Sequence, residues 1–67
     1  MRFAIYIYGN FVGHADLDPD GSVLFDPESA GAVGRMKRVR DCVRTMKIMA
    51  DENREHEPVG PIELLRL

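Results

Sequence analysis

His14 and Asp16 lie two apart in a stretch, Phe11 to Leu17, with the character of a β-strand, so both side chains leave the same face. An imidazole beside a carboxylate is a base with its orienter. No serine or cysteine falls at a spacing that gives this base a nucleophile to activate. His56 is far along the chain, and neither histidine has a neighbouring His or Cys at ligand spacing. Gly31-Ala32-Val33-Gly34-Arg35 is too short for a phosphate-binding loop and lacks that loop's lysine and hydroxyl. What stands out is charge: Arg35, Lys37, Arg38, Arg40, Arg44 and Lys47 crowd one segment of an otherwise acidic chain of net charge −2. These residues predict contact rather than catalysis: no enzyme, no catalytic residue, no cofactor.

Asp16-Leu17-Asp18-Pro19-Asp20-Gly21-Ser22-Val23 resembles the first two-thirds of an EF-hand calcium loop, with acidic residues at positions one, three and five and glycine at six. That resemblance implies oxygen ligands from Asp16, Asp18 and Asp20. It ends there. The position of the bidentate glutamate falls on Pro27, Glu28 comes one residue late, and the incoming segment is a strand rather than a helix. Asp18-Pro19-Asp20-Gly21 also makes an ordinary hairpin turn, Pro19 setting φ for the first corner and Gly21 taking the left-handed position. The expectation is a turn and no metal site.

The elements that must position these residues follow from pattern. Phe3 to Tyr8 is aromatic and β-branched, a strand. Gly9-Asn10 is a two-residue turn signal, Phe11 to Leu17 returns antiparallel, and Ser22 to Phe25 makes a third strand. Asp26-Pro27-Glu28 predicts a helix start, with Asp26 as cap and Pro27 at the first helical position. Gly31 and Gly34 weaken the first turns, and the helix runs to Glu55 or His56, before Pro58. Val59-Gly60-Pro61 is a turn. Ile62 to Leu67 fits either a short helix or an edge strand. The predicted fold is α+β: a three-stranded antiparallel meander packed on one long amphipathic helix, with a short C-terminal apolar segment, in a single domain spanning residues 1–67.

On that helix Met36, Val39, Val43, Met46 and Ala50 recur at threes and fours and form the core-facing side. Cys42, the sole cysteine, sits on its flank as a semi-buried thiol. Lys37, Arg40, Arg44 and Lys47 form one polar stripe, with Ile48 beside Arg44. In the sheet, a turn at Gly9-Asn10 pairs Tyr8 with Phe11, Tyr6 with Gly13 and Ala4 with Ala15. A turn after Asp18 pairs Leu17 with Val23 and Ala15 with Phe25. One face then carries Tyr6, Tyr8, Phe11, Ala15, Leu17, Val23 and Phe25. The other carries Phe3, Ile5, Ile7, Val12 and Leu24, with His14 and Asp16. Both are apolar, and one helix covers one of them. The helix, at roughly 40 Å, overhangs strands of roughly 20 Å. Chains of 67 residues bury only about 60% of their unfolded surface. Unpartnered apolar surface in so small a domain predicts a homodimer.

Charge is segregated along the chain. Residues 1–34 set Arg2 against five carboxylates, residues 35–47 set six cations against Asp41, and residues 48–67 set Arg54 and Arg66 against five carboxylates. Such asymmetry steers docking. The functional expectation is a protein-binding module, a small self-associating inhibitor or adaptor of the kind carried by phages and mobile elements. Its partner is a larger protein or complex. The contact residues are Lys37, Arg40, Arg44, Lys47 and Ile48, with Tyr6 and Tyr8 as a second set. The alternatives are a nucleic-acid-binding regulator using the same basic stripe, whose stacking surfaces would be Tyr6, Tyr8 and Phe11, and a small enzyme or enzyme subunit built on His14 and Asp16. A lone cysteine, and an N-terminal apolar run broken at Gly9-Asn10, predict a cytoplasmic protein without a membrane partner, and the Met1 start without a tag predicts a complete one.

Overall fold

The first turn is made by Tyr8-Gly9 rather than Gly9-Asn10. In the computed structural model, which describes residues 1–67, β1 (Arg2–Ile7) pairs with β2 (Asn10–Leu17) so that Ile7 faces Asn10. Tyr8 at φ 50° and Gly9 at φ 79° occupy the two corners, the geometry of a primed hairpin turn whose twist matches the strands. Further along the hairpin Tyr6 pairs with Phe11 and Ile5 with Gly13, leaving Val12 as a bulge. Gly13, at φ 147°, absorbs the kink.

This bulge redistributes the side chains expected on the two apolar faces. A one-residue slip carries side chains to the opposite face. Here it brings Phe3, Ile5 and Ile7 onto the same side as Val12, Ala15 and Leu17, all buried. β3 (Val23–Pro27) then adds with Leu17 opposite Val23 and Ala15 opposite Phe25, as the spacing predicts. Tyr6, Phe11, His14, Asp16 and Leu24 are left on the outer side, so neither predicted face composition holds.

The helix starts later and is wound differently from the prediction. Pro27 belongs to β3, and the Asp26 carboxylate accepts a hydrogen bond from Arg2 at 3.1 Å instead of capping a helix. The amide of Glu28 reaches back to the Val12 carbonyl at 2.9 Å, which holds this segment to the sheet. Helical winding begins after Ser29 and ends at Glu52. It runs through a 3₁₀ turn at Ala30–Ala32, α1 (Val33–Met36), a 3₁₀ stretch at Lys37–Cys42 and α2 (Val43–Glu52). A 3₁₀ residue advances about 120° where an α residue advances about 100°. Met36, Val39 and Cys42 therefore lie on one ridge, and Met46 and Met49 extend it into α2. All five are buried, Val39, Met46 and Met49 completely. Val43 and Ala50, predicted on the same core-facing side, are only half-buried. The longest dimension of the molecule is 31 Å, short of the roughly 40 Å expected of one straight helix.

Asn53, at φ 56°, ends the helix in the left-handed conformation that asparagine tolerates, and the Arg66 guanidinium donates to its side-chain oxygen. The chain then forms a second hairpin, β4 (His56–Val59) and β5 (Ile62–Arg66). Gly60, at φ 61° before Pro61, supplies the left-handed first corner. His56 is thus a strand residue, not the end of a helix. The C-terminal segment is neither helix nor edge strand. β5 pairs with β1, and Ile62 and Leu64 enter the core opposite Ile7 and Ile5. The fold remains α+β, but the three-stranded meander is replaced by a five-stranded antiparallel sheet in the order β3-β2-β1-β5-β4, with the helical segment across one face. Pro27 and Pro58 fall in the two edge strands, where a missing amide donor is tolerated. No helix is long and apolar enough to cross a membrane.

Candidate functional site

The chain has nine Lys and Arg residues, and the fold divides them into two sets. Arg2 pairs with Asp16 at 3.4 Å and Asp26 at 3.1 Å on the outer face of the sheet. Arg54 pairs with Glu52 at 2.7 Å and Glu57 at 3.1 Å where the helix hands over to β4. The Glu57 hydrogen bond, with the Glu52 charge behind it, raises the Arg54 pKa further. Arg66 is engaged by Asn53. The other six, Arg35, Lys37, Arg38, Arg40, Arg44 and Lys47, form no ion pair and no side-chain hydrogen bond, and all are exposed. The cause is winding. The buried ridge faces the sheet, so the cations of the intervening positions project into solvent.

Their placement refines the predicted stripe. Lys37 and Arg40 stand three apart within the 3₁₀ stretch, where such positions eclipse one another. They flank a groove with Phe25, Pro27, Val33 and Met36 at the β3 edge. Lys47 lies at the opposite end, over the turn at Asp18-Pro19-Gly21 and beside Asp51. Ile48, 42% exposed, faces solvent in α2 as expected. Tyr6 and Tyr8 do not share a surface. Tyr6 packs against Phe11 with the rings tilted and their centroids 5.5 Å apart, and Phe11 meets His14 edge-on at 5.1 Å, all on the sheet face away from the helix. Tyr8, 77% exposed, stands instead beside the first turn of α1. Arg35, Arg38 and Gly34 line a cleft with it. Sequence reasoning left Arg35 and Arg38 out of the contact set; the signal that finds them is their three-residue spacing, the same as that of Lys37 and Arg40.

The remaining chemical candidates are accounted for by local bonding. Asp18 and Asp20 both accept from the Ser22 hydroxyl, at 3.3 and 2.7 Å, and Asp20 also accepts from the Ser22 amide at 2.9 Å. The two Ser22 donors, the amide first, hold the Asp20 carboxyl below its ordinary value. Asp16 turns to Arg2, so the three aspartates do not converge on one point. His14 packs against Phe11 and makes no side-chain hydrogen bond to Asp16. Cys42 is buried more fully than its flank position suggests, and burial, followed by the Asp41 charge, pushes its thiol pKa up. The folded thiol keeps its proton while the unfolded one ionises near pH 9.0. Stability is therefore expected to decline as pH rises above about 9 in chemical denaturation series. Cys42→Ala should flatten that decline, and the native thiol should react with a disulfide reagent only as fast as the protein opens.

Comparison of this chain with protein-family models, with curated proteins and with solved structures finds no match in any of the three.

Proposed function

We propose that this chain is a non-enzymatic protein-binding module, a small inhibitor or adaptor that lays the solvent face of its helix on an acidic surface of a larger protein. The observation that carries this reading is the set of six cations without intramolecular partners, in a chain where every other cation is engaged. Unpaired charge of one sign on a single face accelerates association and orients docking. Ile48 supplies an apolar contact within that face. Self-association belongs to the opposite side in this reading. Tyr6, Phe11, Leu24 and Leu65 leave apolar area on the outer face of the sheet, and light scattering across a concentration series measures it.

Arg40→Glu combined with Arg44→Glu tests the helix face. Both residues are exposed, so the melting temperature should hold. Partner affinity should fall roughly a hundredfold, because two attractions become repulsions. Retention of the partner from nuclease-treated lysate, compared between wild type and variant, is the measurement. Equal retention by the variant overturns the assignment. The same unpaired cations also suit a nucleic-acid phosphate backbone. Capture lost on nuclease treatment, with a steep fall in affinity as salt rises, selects that second reading.

A further inference from the structure

Two residues near the start of the helix are costly where they stand, and they meet at one cleft. Tyr8 holds φ 50°, a left-handed conformation that asparagine or glycine adopts at far lower cost in a primed turn. The aromatic ring gains little packing in return, being 77% exposed. Gly34 lies within α1, where glycine is a poor helix former. A side chain there meets nothing within 4 Å, so no crowding requires glycine at this position. Between them opens a cleft of about 310 Å³, lined by Ile7, Tyr8, Gly34, Arg35 and Arg38, at the lower end of the size range of small-molecule sites. Its two guanidiniums carry no counter-charge from the protein.

We propose that this cleft binds a mononucleotide, with the base stacked on Tyr8 and the phosphate held by Arg35 and Arg38. A flat ring beside forked donors selects a ligand that joins a π-surface to an oxyanion with two acceptor oxygens. Two unpaired arginines match one phosphate monoester. Asp41, the next residue on the Arg35–Arg38 spacing, places a carboxylate beyond them and disfavours a longer polyphosphate. The missing side chain at Gly34 leaves room for the sugar. Lys37, Arg40, Arg44 and Lys47 do not line this cleft, so the site draws on only two of the six unpaired cations and leaves the other four to the acidic-partner reading.

The test is a titration of the whole chain with adenosine monophosphate, read by amide chemical shifts, with adenosine and inorganic phosphate in parallel. Saturable shifts confined to Ile7–Asn10 and Val33–Arg38 are expected. Adenosine alone and phosphate alone should each bind at least tenfold more weakly. Tyr8→Asn should raise the melting temperature by several degrees and weaken nucleotide binding at least tenfold. Gly34→Leu should fill the cleft and abolish binding while the protein stays folded. Absence of saturation at millimolar nucleotide, equal binding of inorganic phosphate, or full binding by either folded variant overturns the proposal.

Discussion

Alanine at position 13 is expected to remove most of the stability of this protein. Gly13 is the residue after the Val12 bulge, at φ 147°, where an L side chain is strained before any contact is considered. A Cβ built there overlaps the Asp26 carbonyl oxygen and lies 2.9 Å from the Pro27 Cα. Both obstacles are backbone, so neither swings aside as a side-chain tip would. Backbone strain of about 1–3 kcal/mol and overpacking of about 1–3 kcal/mol together approach the total stability of a domain this size, roughly 3–10 kcal/mol. Urea denaturation should show Gly13→Ala largely unfolded without denaturant, or folded with a midpoint less than half that of wild type. A midpoint within a tenth of wild type would show that the bulge is not built on Gly13. Gly34→Ala is the matched control: its side chain meets open space, and helix propensity favours alanine by about 1 kcal/mol.

Lysine at position 49 should unfold the chain, whereas lysine at position 48 should leave its stability within about 0.5 kcal/mol of wild type. Met49 is fully buried and Ile48 is 42% exposed, although they are adjacent. Burying an unpaired ammonium in a core without acidic neighbours costs several kcal/mol. The buried cluster around Met49 contains only apolar side chains and the Cys42 thiol. Circular dichroism at neutral pH distinguishes the two variants directly. The same pair checks the 3₁₀ winding upstream, because an uninterrupted α-helix phased on Met36 and Val43 brings Ala50, not Met49, to the centre of the buried stripe.

Much of this architecture is legible from local chemistry. The Asp18–Gly21 turn and the β2–β3 register follow from the Pro-Asp-Gly signal, and the helix is present and basic where charge and period place it. The β1–β2 register is harder, because Tyr8-Gly9 and Gly9-Asn10 both satisfy a two-residue turn. A glycine isolated inside a strand pattern signals a bulge, and Gly13 is that signal. Its effect is to reverse inside and outside along half a hairpin. The second hairpin is obscured by Glu57-Pro58, a poor strand dipeptide that an edge position tolerates. Ile62-Glu63-Leu64 begins a strand alternation that Leu65 breaks, which leaves the segment open between helix and strand. Asp26 is misleading as a cap because Arg2, distant in sequence, claims its carboxylate. Of the predicted contact residues, the helix cations and Ile48 remain on one solvent-facing element, whereas the two tyrosines part to opposite sides of the sheet. That separation follows from Tyr8 taking a corner of the first turn, which the equally good Gly9-Asn10 signal conceals.

The prolines in the outermost strands have a consequence for growth. A neighbouring copy seeking to extend the ladder at Val23–Pro27 or His56–Val59 meets a gap in the row of donors, so neither edge is a good template for stacking into filaments. Concentrated solutions of this chain should form assemblies of finite size rather than fibres.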